Sequence, residues 1–372
     1  MVGTSPRSRA DVTDERAIDA DASPRPSGPP ARASKRVPVL DGWRATSILL
    51  VLGAHLLPLG PKALQLNDAA GAMGMALFFT LSGFLIVQFL AAGTPLGLFV
   101  MKRLARIVPL SWTAMLILLM WHSYDATTIA KNFLFIANLP PVTLFEGGQH
   151  LWSLCVEMQF YVTVSVICLL LGRRGLYLVP ILALSVTAAR TVAGEYISIV
   201  TYHRVDEILA GGTIALAYSG WLGTRVEGLL KRLPVWPFAI ALVICSHPDA
   251  GALQYLRPYA AASLVGASLT GAPAFLERIL VSRPMAYVAE VSYALYVIHG
   301  MLSHTWLGSG EGFDKYIKRP LLFGATFALA HLSTRYFEQP ITRRVRDYGK
   351  RRQAARDSTT LAGPAEPSRP SV

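Results

Sequence analysis

The chain has 372 residues, 52% of them hydrophobic and only 16% charged, with a mean hydropathy of +0.41. A soluble globular domain is nearer a quarter charged, so this composition excludes an ordinary soluble enzyme and points to a chain that crosses a bilayer several times. The net charge of +12 would suit nucleic acid, but the placement of the basic residues assigns them to membrane topology, and no nucleic-acid partner is expected.

Residues 1–36 are rich in Pro, Arg, Ala, Ser and Asp and are expected to form a disordered cytoplasmic tail. They include no cleavable signal sequence, so the first apolar segment is expected to act as its own insertion signal. Ten apolar segments follow, at about 40–58, 70–92, 106–121, 150–171, 176–192, 206–220, 234–247, 256–272, 285–306 and 320–340. The sixth and seventh are short or interrupted by Gly and Pro. Residues 343–372 form a second basic, polar tail. The expected fold is therefore an all-α polytopic membrane protein with about ten transmembrane helices, one transmembrane domain over residues 37–342, and two flanking tails. Cys155, Cys168 and Cys245 all lie in apolar runs, so neither a disulfide framework nor a metal site is expected.

The basic residues test this reading. With ten spans, one side of the membrane holds both tails and 25 of the 35 Lys and Arg residues, and the other side holds six. The positive-inside rule then places both termini in the cytoplasm, and the expected location is the inner (plasma) membrane.

The first segment carries Arg44 and His55, eleven residues apart. At about 100° and 1.5 Å per residue they share one helical face, roughly 16 Å apart along the axis. Ionisable groups are costly inside a bilayer and are functional candidates there. In the second segment Ser82 and Gly83 fall mid-membrane, suited either to close helix packing or to lining a substrate path. Arg103 and Arg106, three apart, open the third span on the same side as Arg44, where guanidinium forks suit phosphate oxygens. The alternative is ordinary positive-inside anchoring.

The fourth segment opens with His150-Leu151-Trp152-Ser153-Leu154-Cys155-Val156-Glu157-Met158-Gln159-Phe160-Tyr161. Glu157 lies seven residues in, roughly 10 Å deep, a depth comparable to that of His55. His150, Glu157 and Gln159 are thus expected to converge on His55, with Glu157 orienting the imidazole for general-base work. A structural role across helices is the competing reading. Asp206 and Glu207 open the sixth segment and suit a helix N-terminus electrostatically. Tyr293, Tyr296 and His299 recur at three-residue intervals on the ninth segment, and Arg335 with Glu338 closes the tenth.

Taken together, these residues resemble the acyltransferase-3 family of integral membrane acyltransferases. The resemblance rests on Arg44 with His55, Phe78 to Leu85, Arg103 with Arg106 to Pro109, His150 to Tyr161, Ser292 to His299, and Arg335 to Pro340, and it covers about residues 39–345 in order. It implies ten helices and transfer of an acyl group from acyl-coenzyme A to a hydroxyl of an extracytoplasmic glycan, another glycoconjugate, or a small molecule such as a macrolide. This chain has Ala76, Cys155 and Met158 where the family usually has an acidic or polar residue, Ser and a second Glu, which leaves Glu157 as the one carboxylate of its motif. No added hydrolase-like domain is expected after the tenth segment, so the resemblance implies a stand-alone member.

The expectation is thus an O-acyltransferase using acyl-coenzyme A, with acetyl-coenzyme A the expected donor. His55, Glu157 and His150 are the candidate catalytic residues. Arg44, Arg103 and Arg106 are the candidate donor-binding residues. Ser82, Trp152, Ser153, Gln159, Tyr293 and His299 are candidate lining residues. Glycan acceptor and membrane lipid are the expected partners. A transporter with the same polar residues along a permeation path is the competing class.

Overall fold

The structure, a computed structural model, describes residues 37–310 and 312–361; the expected tail 1–36 and residues 362–372 lie outside that range. Among the described residues every regular element is helical. Helix α1 (Pro38–Leu56) begins with Pro at its first position and stops at Leu57, where the backbone turns extended ahead of Pro58. Helix α2 (Leu66–Ala91) closes with Gly93 at φ +80°, the Gly93 and Thr94 amides bonding back to Leu90 and Phe89. Then come α3 (Leu96–Leu119), α4 (Ala126–Phe133), α5 (Trp152–Leu171), α6 (Leu178–Val192) and α7 (Asp206–Tyr218). They are followed by α8 (Thr224–Leu230), α9 (Val235–Ser246), α10 (Arg257–Gly271), α11 (Ala274–Leu280) and α12 (Arg283–Ser303). A π-helical turn, Ser333–Glu338, joins α13 (Gly312–Leu332) to α14 (Gln339–Leu361). The expected boundary between residues 342 and 343 falls inside α14, whose helix runs on through that basic stretch.

Each of the ten expected apolar segments coincides with a helix. Among the described residues, three stretches are long and apolar enough to cross a membrane: Lys62–Ala91, Gln149–Val192 and Arg283–Ser303. The number rises to five if the pairs α8–α9, bent by 80°, and the α10–α11 stretch, bent by 104°, are each one span. The 44 residues of Gln149–Val192 hold both α5 and α6, joined by a 3-10 turn, Gly172–Tyr177, that opens at Gly172 with φ +60°. The other segments fall short for physical reasons. Asp41, Arg44 and His55 dilute α1, Lys102, Arg103 and Arg106 dilute α3, and α7 has only 13 residues.

Helix α2 runs through the centre, packed against α1, α7 and α10. Its contact with α7 is backbone to backbone. A Cβ on Gly83 would lie 1.8 Å from the Ile208 carbonyl oxygen, and one on Gly211 would lie 2.0 Å from that of Thr80. Small residues here let two apolar helices approach where no hydrophobic drive distinguishes helix from lipid.

The start of α7 carries more than a helix N-terminus. Asp206 pairs with Arg190 at 3.2 Å, while Glu207 meets Arg257 at 2.9 Å and Arg204 at 3.4 Å. All five side chains are buried, joining α6, α7, α10 and the turn before α7 in one charged node. Removing charge from water is costly, and only mutual pairing makes such a node tolerable. Arg190 and Arg257 fall within two of the apolar segments of the sequence, but the node they share depends on how the helices meet.

Candidate active site

Arg44 on α1 and Arg103 and Arg106 on α3 converge. All three line a vestibule of about 650 Å³ and also the narrow cleft of about 40 Å³ that continues from it, as does Tyr293 of α12. They therefore form the neck between the two. Arg44 lies 3.9 Å from Asp41, one turn earlier. Arg103 sits over the rings of Phe89, Phe99 and Tyr161 at 5.4, 5.8 and 5.8 Å, which fixes its guanidinium against the wall. Tyr293 donates its hydroxyl to the Ile107 carbonyl at 2.6 Å, clamping α12 to α3 one turn beyond Arg103 and just before Pro109.

Beyond the neck the cleft is lined by Ser82, Glu157 and Tyr161. Glu157 is 6% exposed. Ser82 donates to its Oε1 at 2.7 Å, and Tyr161, one helical turn further along α5, donates to the same oxygen. The expected pairing of Glu157 with His55 is not formed: among the described residues, the hydrogen bonds of Glu157 run to Ser82 and Tyr161. Equal depth was inferred from residue counts alone, and the face of α5 that carries Glu157 meets α2 at Ser82 instead.

His55 has other neighbours. Its ring centroid lies 5.2 Å from that of His299, which in turn lies 5.0 Å from His150. Each ring is held by a backbone carbonyl: His55 Nδ1 by Val51 at 2.9 Å, His299 Nδ1 by Tyr296 at 2.7 Å, and His150 Nε2 by Val297 at 3.0 Å. A carbonyl can only accept, so those nitrogens carry the protons of the neutral rings. The bare nitrogens are then Nε2 of His55, Nε2 of His299 and Nδ1 of His150. His299 is buried, whereas His55 is exposed and sits in the last turn of α1. The three rings thus lie together with one bare nitrogen each.

Tyr296 joins this cluster to the cleft. It lines the cleft, stacks on Phe78 at 5.8 Å and lies 5.6 Å from both His150 and His299. Its hydroxyl accepts from Ser153 at 2.6 Å and donates to the His150 carbonyl. Ser153 thus acts on the site through Tyr296. Trp152 faces another way, its ring edge-on to Phe79 at 5.7 Å and under Arg204 at 5.5 Å. Gln159 points away from the cleft: its amide donates to the Phe135 carbonyl at 2.8 Å and to Asn138 at 2.9 Å, bracing the loop after α4. The expected lining role of Gln159 gives way to this scaffolding role, because its position two residues after Glu157 puts it on another face of α5.

Residues missed from the sequence include Tyr161, whose signal was its i+4 spacing from Glu157, and Lys102 and Arg346 in the vestibule. Arg346 lies in the stretch expected to be a tail, and only the continuation of α14 brings it to the site.

This chain belongs to the acyltransferase-3 family: the family described as "Acyltransferase domain" matches residues 37–333. Among curated relatives, it is 24% identical over 357 residues to the peptidoglycan O-acetyltransferase OatA of Listeria monocytogenes, covering 82% of this chain and 56% of that protein. It is 25% identical over 370 residues to the putative peptidoglycan O-acetyltransferase YrhL of Bacillus subtilis, covering 85% of this chain and 56% of that one. It is 26% identical over 321 residues to nodulation protein 10 of Rhizobium leguminosarum, covering 72% of this chain and 82% of that one. The chain thus spans little more than half the length of the first two relatives. No solved structure matches it.

Proposed function

We propose that this protein is a membrane O-acyltransferase that moves an acyl group, acetyl in the simplest case, from acyl-coenzyme A to a hydroxyl of an extracytoplasmic glycan or glycoconjugate. The observation that carries the reading is the route from the neck of Arg44, Arg103 and Arg106, through the Glu157 cleft, to Tyr296 and the His55–His299–His150 cluster. Family membership and the names of the relatives support acyl transfer to a glycan. In this reading the chain crosses the inner membrane about ten times with both termini in the cytoplasm. The vestibule then opens to the cytoplasm, where the donor is made, and His55 lies at the far side.

The donor phosphates bind at the neck, where guanidinium groups offer forked, charge-assisted hydrogen bonds. The pantetheine arm extends toward His55, about 16 Å along α1 from Arg44 at a rise of about 1.5 Å per residue. The cleft holds about 40 Å³, on the order of one water. The arm therefore enters by displacing side chains there, with Phe78, stacked but not hydrogen-bonded, the movable one. His55 takes the acceptor hydroxyl proton on its bare Nε2 as the oxygen attacks the thioester carbonyl. The carbon–sulfur bond then breaks, and the coenzyme A thiolate leaves and is protonated.

The test is incubation of the purified protein with labelled acetyl-coenzyme A and glycan fragments, with flux of the same compounds measured in vesicles. Transfer of label to the glycan supports the reading. Flux without transfer would establish a transporter, and transfer to a small hydroxylated molecule alone would move the acceptor to that class.

A further inference from the structure

We propose that Arg346 of α14 and Lys102 of α3 form an outer phosphate site in the vestibule, which selects donors that carry a phosphate on the nucleotide ribose. The inference rests on the donor reading above and adds a specificity device supplied by the C-terminal helix.

The two side chains line the vestibule but not the cleft, so they lie on the outer side of the neck. If the donor diphosphate sits at the neck with its arm toward His55, the adenosine half must lie in the vestibule. The 3′-phosphate of coenzyme A then falls among the vestibule side chains. Five cations face this space: Arg44, Arg103, Arg106, Lys102 and Arg346. Three carboxylates share it, which leaves the lining an excess of two positive charges. Asp41 stands 3.9 Å from Arg44, Glu290 accepts from Gln339 at 2.6 Å, and Glu338 accepts from Ser333 and Thr334 at 3.2 and 3.3 Å. Among the described residues neither Lys102 nor Arg346 makes an ion pair. An excess of cations in a concave wall concentrates field and attracts anions.

Helix packing sets the pair opposite each other. A Cβ on Gly349 would come within 2.7 Å of Leu98, so α14 lies hard against α3 at that point. Arg346 is three residues before Gly349 and Lys102 four residues after Leu98, which puts each on the contact-side face of its helix. A third phosphate outside the neck thus meets one point charge from α3 and one fork from α14.

The experiment compares coenzyme A with dephospho-coenzyme A, which lacks the 3′-phosphate, by equilibrium binding to the full-length protein in detergent. The same comparison is then made as single-turnover transfer from their acetyl forms. The intact protein should prefer coenzyme A by about 10-fold or more, the scale of one charge-assisted contact. In Arg346→Gln and Lys102→Gln that ratio should fall toward one, Arg346→Lys should retain part of it, and Arg44→Ala should weaken both ligands while keeping the ratio. Melting temperature and monodispersity serve as fold controls. A ratio near one in the intact protein, or an unchanged ratio in both Gln variants, overturns the outer site while leaving the donor reading intact. Failure of the intact protein to bind either compound overturns the donor reading itself, and the outer site with it.

Discussion

The imidazoles of His55 and His299 meet with ring centroids 5.2 Å apart, bringing the end of α1 onto the buried face of α12. Both rings spend Nδ1 on a carbonyl of their own helix, so both present a bare Nε2. Only His55 is exposed, which makes it the ring an acceptor can reach. His55→Gln keeps hydrogen-bonding capacity but cannot take a proton at neutral pH. Acyl transfer should fall by roughly 10²–10⁴-fold, the usual worth of a positioned base. Coenzyme A binding, measured in parallel, should be retained because the arginine neck is untouched. Near-normal transfer would move the base elsewhere, with His150 the next candidate.

Gly300 holds His150 in place by having no side chain. A Cβ there would lie 2.1 Å from His150 Nδ1 and 2.2 Å from its Cε1. Gly300→Ala should therefore push the ring off Val297 and cost about 1–3 kcal/mol, the range for overpacking. It should also lower transfer. Adding His150→Ala makes room, so the double variant should regain most of the melting temperature while remaining impaired in transfer. If the double variant melts no higher than Gly300→Ala alone, the steric account is wrong.

Much of this arrangement was legible in the sequence because it depends on one helix at a time. The Arg44–His55 spacing, the Arg103–Arg106 face and the run of apolar segments each follow from helical geometry and hydropathy. What depends on how helices turn against one another was not legible. Glu157 has the right depth for His55 by counting, yet the rotation of α5 gives it to Ser82 and Tyr161. His299 shares a face with Tyr293 and Tyr296 on the sequence, but nothing there tells that α12 brings it to His55. Arg346 was invisible as a site residue because a polar, basic stretch after the last apolar segment reads as a tail until α14 is seen packed on α3.

The buried charged node at α7 should dominate stability. Glu207 accepts from Arg257 and faces Arg204, all three essentially without exposure. Glu207→Gln leaves two guanidinium groups buried against one carboxylate, Asp206, which Arg190 already occupies. Breaking a buried pair this way costs about 3–5 kcal/mol. By contrast Lys231→Ala, which removes an exposed partner of Glu227, should cost under about 1 kcal/mol. Thermal unfolding of both variants in detergent measures the difference, and equal melting temperatures would show that the node is not what holds α6, α7 and α10 together.

The proposed topology makes both ends cytoplasmic. Reporter fusions after residues 20 and 355 should each report the cytoplasm, as the excess of basic residues on that side requires. A periplasmic signal from either fusion would break the even count of spans. It would also leave the vestibule without access to a cytoplasmic donor.

Glu157 now separates two accounts of the site. If it oriented His55, Glu157→Gln would alter the basicity of the imidazole and shift the acidic limb of the transfer rate against pH. The structure instead ties Glu157 to Ser82 and Tyr161 in the wall of the cleft next to the arginine neck. A Gln there keeps the shape, and its carbonyl oxygen can still accept from both hydroxyls, but the negative charge beside the arginine neck is lost. The change should fall on the donor: a raised KM for acetyl-coenzyme A, with the acidic limb of the pH profile where it was. Ser82→Ala should produce a smaller change of the same kind, since it removes one of the two hydroxyls that hold the carboxylate. Steady-state kinetics across pH for both variants measures this. A displaced acidic limb in Glu157→Gln with unchanged KM would restore the direct pairing of Glu157 with His55 and reject the cleft-wall role.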